Sequence, residues 1–358
     1  MLLRELRRHV GRLAVVGFAG QGVPAELRQL VADFDLGGVI YFARNVVEPR
    51  QVAELSREVA ALAVDWPLWV SVDQEGGRVA RLKRPFTEWP PAMTLGRSGS
   101  ERLAERFAAA LAAELAAVGI NLDYAPVLDV HTNPANPVIG DRALAEGAEL
   151  AARLGRAVIR GLQQGGVAAC GKHFPGHGDT SRDSHEELPI VEHDRRRLDA
   201  VELVPFRAAI DAGVGTLMTA HVLVPALDDR PASLSSTIVT GLLKHTLGFE
   251  GLVLSDDLGM KAISASWPLP DATIAAIAAG CDAVLFCNHT VDDQVAALEA
   301  VIRAAESGRL SPERLDDALA RQERVKSRFL TPARPRLGLE VVGCAEHQAV
   351  AEEMAAFR

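Results

Sequence analysis

Val167-Ala168-Ala169-Cys170-Gly171-Lys172-His173 is the stretch on which the fold turns. It is apolar until its last two residues, too short for a helix, and set off by Gly165-Gly166 before it and Pro175 after it, which together read as a fully buried strand. An alanine- and leucine-rich segment of helical period, 145–164, precedes it. A second such segment, 196–212, leads to the next apolar run, Thr216–His221. Strand, helix, strand in this order predicts parallel pairing, because parallel neighbours need a crossover between them.

Working outward, the same unit recurs along the chain. The apolar runs are Leu13–Phe18, Gly38–Phe42, Leu68–Asp73, Ile120–Ala125, Val167–His173, Thr216–His221, Leu252–Asp256 and Ala283–Cys287. Helical periodicity follows them near 24–34, 49–63, 101–118, 145–164, 196–212, 236–246, 270–279 and 291–306. Eight strand–helix units predict an α/β fold, a single (β/α)8 TIM barrel. An open doubly wound sheet would show GxGxxG after its first strand, and Gly17-Phe18-Ala19-Gly20-Gln21-Gly22 lacks that spacing. The barrel is expected over residues 1–330. Residues 331–358, opening with Pro332 and Pro335, are expected as a short C-terminal tail with helical pattern from Ala345 to Phe357, packed outside the barrel.

Composition narrows the function. The 358 residues are 48% hydrophobic with 30 glycines, which excludes disordered and fibrous classes. Net charge is −9, from 38 basic and 47 acidic residues, and no lysine–arginine run is interleaved with aromatics, so nucleic acid is not an expected partner. Arg4–Arg8 includes Glu5 and reads as a solvated helix face. Cys170, Cys281, Cys287 and Cys344 form no CxxC pair, and read as free thiols in a reducing compartment. Arg7 and Arg8 precede the apolar stretch Leu13–Ala19, which is short and lacks a cleavage site, and no apolar run approaches the roughly 20 residues that span a bilayer. The expectation is a cytoplasmic protein with a small-molecule substrate and no membrane partner.

In such barrels the chemistry sits at the carboxyl ends of the strands. Those ends carry Asp73, Asp123, Lys172-His173, His221 and Asp256. The densest cluster runs from Lys172 through His173, His177, Asp179 and Asp183 to Ser184 and His185; Pro175, Gly176 and Gly178 keep it from being helical. A metal site could draw on its histidines and aspartates, but without a helix the i, i+4 pair His173 and His177 does not share a face. A serine nucleophile at Ser184 lacks a GxSxG elbow, and its neighbours point away from it. Asp183 and His185, two apart, face one side of an extended segment and can share a hydrogen bond that orients the imidazole as a proton donor. In Ser255-Asp256-Asp257, alternation allows only one aspartate into the mouth: Asp256 as nucleophile, base or acceptor, with Asp257 suited to capping the next helix. In Val72–Arg81, carboxylates and guanidiniums at a strand end suit sugar hydroxyls, although Glu75 and Arg78 could equally form an internal pair.

These motifs resemble glycoside hydrolase family 3. The resemblance rests on Lys-His-Phe-Pro-Gly-His-Gly-Asp-Thr at 172–180, Asp-Ser-His at 183–185, Val-Asp-Gln-Glu-Gly-Gly-Arg-Val at 72–79 and Ser-Asp-Asp-Leu at 255–258. Gly37–Asn45 and Asn121–Val130 fit as well, so it covers about residues 11–330, and its nearest branch is the NagZ-type β-N-acetylhexosaminidases. It implies a retaining exo-β-N-acetylglucosaminidase acting on GlcNAc-containing muropeptide fragments in cell-wall recycling, as a monomer without metal or other cofactor. Asp256 would be the nucleophile and His185, oriented by Asp183, the general acid and base. Asp73, Arg81, Arg142, Lys172 and His173 would bind the sugar. Beside Arg142 the family commonly has serine and an aromatic, where this chain has Ala143-Leu144. The alternatives are a metal-dependent hydrolase on the same barrel, a β-glucosidase- or phosphorylase-type family member, and a non-catalytic sugar-binding protein.

Overall fold

Short apolar strands bury both faces only when neighbours pair with them on either side and helices cover the outside. In the computed structural model, which describes residues 3–63, 65–331 and 337–358, eight strands do this in a closed ring. They are β1 (Ala14–Gly17), β2 (Gly38–Tyr41), β3 (Trp69–Val72), β4 (Leu122–Asp123), β5 (Ala168–Phe174), β6 (Thr216–Thr219), β7 (Leu252–Asp257) and β8 (Ala283–Phe286). All pairs are parallel, each strand adjoins the next in sequence, and β8 closes on β1. The fold is a (β/α)8 TIM barrel, and every strand falls within or at the edge of its predicted run.

The covering helices also lie where periodicity put them, among them Pro49–Ala60, Glu101–Ala117, Ala148–Gln164, Leu269–Ala279 and Val291–Glu306. Helix Pro49–Ala60 shows the principle: Val52, Leu55 and Val59 are buried at helical spacing. Ser100 and Thr290 accept backbone N–H bonds at the starts of the helices that follow them. Segment Thr237–Thr246 differs by winding as a π-helix, and 196–212 divides into Arg195–Ala200 and Val204–Asp211.

Inside the ring, Val15, Ile40, Trp69, Leu122, Cys170, Met218, Leu254 and Leu285 form one apolar cluster. The sequence reading did not foresee its floor, the helix Pro312–Phe329, whose Val325 and Phe329 join that cluster. Gln322 accepts from the Trp69 indole N–H (3.2 Å) and donates to the Arg12 carbonyl (2.9 Å). Buried Lys326 donates to the carbonyls of Gly37 (2.8 Å) and Pro67 (2.7 Å), and Arg321 to those of Phe249 (2.9 Å) and Gly251 (3.0 Å). These carbonyls precede β2, β3 and β7, so the helix seals the amino-terminal end of the barrel. Burial pushes the Lys326 ammonium down to about 7.

Helix Ala345–Ala355 packs on Glu101–Ala117 and Met93–Ser98. Its approach is fixed by Glu114, a buried carboxylate that accepts from the Thr87 hydroxyl (2.6 Å), the Gly343 N–H (3.0 Å) and His347 Nδ1 (2.9 Å). Pro332 and Pro335 lie outside the described residues. Among the described residues, no helix is long and apolar enough to cross a membrane. Cys170, Cys281 and Cys287 are free and buried, and Cys344 is free and half-buried.

If the helix Pro312–Phe329 is a structural floor, Phe329→Ala will lower unfolding stability by about 3–5 kcal/mol, as for other large buried aromatics. Urea denaturation followed by circular dichroism measures it; a loss within 0.5 kcal/mol, the range of an ordinary surface substitution, would rule out that role.

Candidate active site

At the carboxyl end of the barrel lies a cavity of about 200 Å³ whose walls include Asp73, Arg81, Arg142, Lys172, His173, His185 and Asp256. Every sequence-predicted site residue therefore lines it except Asp183, which reaches it through His185.

Lys172 is the hub. It stands 98% out of solvent and bonds Asp73 and Glu75, each at 2.7 Å. Glu75 in turn takes a two-pronged pair from Arg142, at 2.9 and 2.8 Å. Burial works against Glu75's ionisation, but Arg142 and Lys172 outweigh it and hold the carboxyl far below its usual range. The same acids keep Lys172 protonated against its own burial. Glu75 thus pairs with Arg142, not Arg78, which donates to the carbonyl of Ile139 (3.1 Å). Arg81 approaches Asp73 at 3.4 Å, and its Nε–H is buried without a partner in the protein.

Two successive residues, Lys172 and His173, line the cavity although simple alternation would turn one away; the β5–β6 register is irregular between Gly171 and Phe174. His173 is fixed by Asp129, which accepts from its Nδ1 (2.7 Å) and from the His177 N–H (2.7 Å). Asp129 was quoted in the sequence motif but given no role. It is fully buried and stays ionised below its ordinary pKa despite burial, because His173 faces it.

The expectation that only one of the β7 aspartates faces the mouth is corrected. Between Leu254/Ala283 and Asp257/Leu285 the register shifts, so β7 has an extra residue opposite β8, and both Asp256 and Asp257 line the cavity. Asp257 does not cap the next helix, whose first turn begins at Met260 without a side-chain cap. It accepts from the N–H groups of Gly259 (3.2 Å) and Cys287 (3.1 Å), tying β7 to β8. Asp256 is half-buried. Burial raises its pKa, but His173 and the Asp257 N–H (2.8 Å) bring it below the ordinary value, so it is a carboxylate at neutral pH.

Two strand-end groups lie beneath the cavity. Asp123 is fully buried, accepts from the Gln74 N–H (2.9 Å), and has its pKa pushed well up by burial. His221, kept neutral by burial, donates from Nε2 to the Asp257 carbonyl (3.0 Å), because a carbonyl can only accept, and takes the Ser233 hydroxyl proton at Nδ1 (2.7 Å).

The loop after β5 carries Asp183 and His185. Asp183 Oδ1 accepts from both the N–H and the Nδ1 of His185, each at 2.8 Å. The pair forms in an Asx turn, with Glu186 and Glu187 N–H both directed to the Asp183 carbonyl, and not on the extended segment expected. His185 is 64% exposed, facing the opening. Burial opposes the ionisation of Asp183, but its bonds to His185 prevail and lower its pKa. The loop's other groups go elsewhere: Asp179 binds His193 and Thr132, and the ring of His177 binds Thr180 and Ser184. Ser184 therefore faces His177, whose other nitrogen meets a hydroxyl and not a carboxylate, so no Ser–His–Asp relay forms. Among the described residues, the histidine and acid groups close enough to share a metal are His9, Asp35 and Asp65, which precede β1, β2 and β3 at the barrel's other end; Arg12 pairs with both acids.

Residues 5–325 match the glycosyl hydrolase family 3 N-terminal domain. The chain belongs to this family. A β-hexosaminidase of Thiobacillus denitrificans is 42% identical over 280 residues, which cover 76% of this chain and 77% of that protein. β-Hexosaminidase A of Pseudoalteromonas piscicida is 36% identical over 362 residues, 93% of this chain and 60% of the relative. Among solved structures, a family 3 β-N-acetylglucosaminidase from Paenibacillus sp. str. FPU-7 aligns with TM-score 0.93 at 44% identity, over 98% of this chain and 68% of that one. Native NagZ from Neisseria gonorrhoeae aligns with TM-score 0.80 at 32% identity, over 98% of both chains. Membership in the family makes the chain a glycoside hydrolase.

Glu75→Gln will leave Arg142 and Lys172 short of one buried negative charge, and should destabilise the fold by about 3–5 kcal/mol at pH 7. A carboxyl with a depressed native pKa stabilises above its unfolded value and loses this as pH falls. The gap between wild type and variant in thermal unfolding should therefore be full at pH 6–8 and narrow progressively once the pH falls below about 4.5, the ordinary glutamate value; a gap that widens on acidification would contradict the ion-pair account.

Proposed function

We propose that the chain is a retaining exo-β-N-acetylhexosaminidase that removes a terminal, non-reducing GlcNAc. The observation carrying this reading is that an ionised aspartate, Asp256, and a carboxylate-held histidine, His185, border one small polar cavity. Its volume, about 200 Å³, is below the roughly 300–1,000 Å³ of sites for drug-sized ligands and suits one sugar ring. The Asp73–Lys172–Glu75–Arg142 cluster, His173 and Arg81 offer fixed donors and acceptors for the ring hydroxyls. Relatives named β-hexosaminidase favour an N-acetylated sugar over glucose.

In the first step an Asp256 oxygen bonds to the anomeric carbon as the glycosidic C–O bond breaks, and His185 gives its proton to the departing oxygen. In the second, His185 takes a proton from water, whose oxygen attacks from the face the leaving group vacated, opposite Asp256, and displaces it, so configuration is retained. Asp183 holds the imidazole in orientation and balances the positive charge it carries before the first proton transfer and after the second. A histidine acid departs from the usual paired carboxylates roughly 5–5.5 Å apart in retaining enzymes. Muropeptide fragments of cell-wall recycling, in the cytoplasm, are the substrates this reading favours, with the protein acting as a monomer and without a metal.

Aryl β-glycosides of GlcNAc, GalNAc and glucose, assayed with and without phosphate while product stereochemistry is read by NMR, test the reading. GlcNAc hydrolysis with retention is expected. Asp256→Ala should lower kcat by at least about 10³-fold, and normal turnover by this variant would sink the assignment. Dialysis against a chelator should leave activity intact; loss restored by zinc would favour metal-dependent hydrolysis instead.

A further inference from the structure

Residues 181–187 form an exposed or half-exposed tip with one exception, Ser184, which is 98% buried between Asp183 and His185. Ser184 is bonded at both ends. Its hydroxyl meets His177 Nε2 at 3.0 Å, and its carbonyl accepts from the Ala262 N–H at 3.2 Å. The first bond ties the tip to the end of β5, and the second to the segment following β7, the strand that carries Asp256.

His177 is well placed to be the fixed end. Its N–H is held by Asp129, and its Nδ1 lies 2.7 Å from the Thr180 hydroxyl. That hydroxyl donates to the His177 carbonyl (3.1 Å), so it accepts from Nδ1–H and leaves Nε2 as the acceptor for the Ser184 proton. The groups facing the ring are Asp129, His173 and Asp256; burial nevertheless dominates and lowers His177 to about 4, so Nε2 stays an acceptor through the neutral range. The loop ahead of the tip is seated independently: Asn136 donates to the carbonyls of His177 (2.8 Å) and Gly178 (3.1 Å), and a Cβ on Gly178 would fall 1.8 Å from the Val130 carbonyl. The route from Asp129 to the tip therefore runs through bonded, buried groups, and its last flexible joint is the Ser184 side chain.

We propose that Ser184, anchored by His177, is a positioning residue that sets where His185 stands relative to Asp256. This rests on the reading of His185 as the acid. Neither Ser184 nor His177 exchanges a proton with substrate; their hydrogen bond restricts the Asx turn to the orientation in which His185 can reach a departing oxygen.

The test compares kcat/KM for two aryl β-GlcNAc substrates, one with an activated dinitrophenyl group and one with a poor leaving group, in wild type, Ser184→Ala, Ser184→Thr and His185→Ala. Misplacing an acid costs most where the departing oxygen most needs a proton. Ser184→Ala should lose at least tenfold more on the poor leaving group than on the activated one, in the direction of His185→Ala and with KM little changed, while Ser184→Thr, which keeps the hydroxyl, restores most of it. Equal losses on both substrates, or no loss, would overturn the proposal, as would failure of Ser184→Thr to rescue. If His185→Ala itself shows no leaving-group dependence, the acid assignment falls and the positioning role falls with it. If His185→Ala shows the dependence and Ser184→Ala does not, only the positioning role is lost.

Discussion

Lys172 places a positive charge inside the barrel mouth, and much around it is arranged to make that tolerable. An ammonium taken out of water costs several kcal/mol unless opposite charge and hydrogen bonds replace its hydration. Asp73 and Glu75 supply two negative charges at 2.7 Å, Arg142 returns one positive charge, and the four groups sum to zero. A third carboxyl nearby, Asp123, has its pKa pushed well up by burial, which favours its neutral form. This neutral cluster draws in residues from the turn after β3, from β5 and from the loop after β4. The candidate site is thus made from the same ion pairs that hold the loops in register.

A second carboxylate, Asp129, works on the other side of the mouth. It binds the His173 ring and the His177 backbone, so one buried charge orders a cavity wall and the root of the loop bearing His185. The two carboxylates proposed to serve the reaction itself differ in setting. Asp256 is kept ionised by its surroundings, ready to bond to carbon, while Asp183 lies at the loop surface, where its bonds to His185 decide its state.

The strands were legible in the sequence because each is a short apolar run closed by glycine, proline or a polar residue, a pattern local enough to read without tertiary contacts. The cavity-lining residues at the ends of β3, β5 and β7 were legible for the same reason, as polar groups ending apolar runs. Three features were not. The floor helix buries Leu315, Ala318, Gln322, Val325, Lys326 and Phe329 at helical spacing, but glutamine and lysine occupy two of the buried places, so its inward face reads as polar. The joint exposure of Asp256 and Asp257 to the cavity depends on a register shift against β8, which leaves no mark in β7's own residues. Glu75 could be matched with Arg78 by proximity in sequence, whereas its partner Arg142 is 67 residues away.

The floor helix has a consequence for how such a chain can change. Strands of four to six residues, rising about 3.3 Å per residue, separate the carbonyls held by Lys326, Gln322 and Arg321 from the rim where the candidate site forms. Substitutions that far apart, sharing no partner, combine nearly additively. One end of the barrel holds a reserve of stability against which the other end can be altered, so new loops and new substrate preferences can arise at the rim without loosening the base.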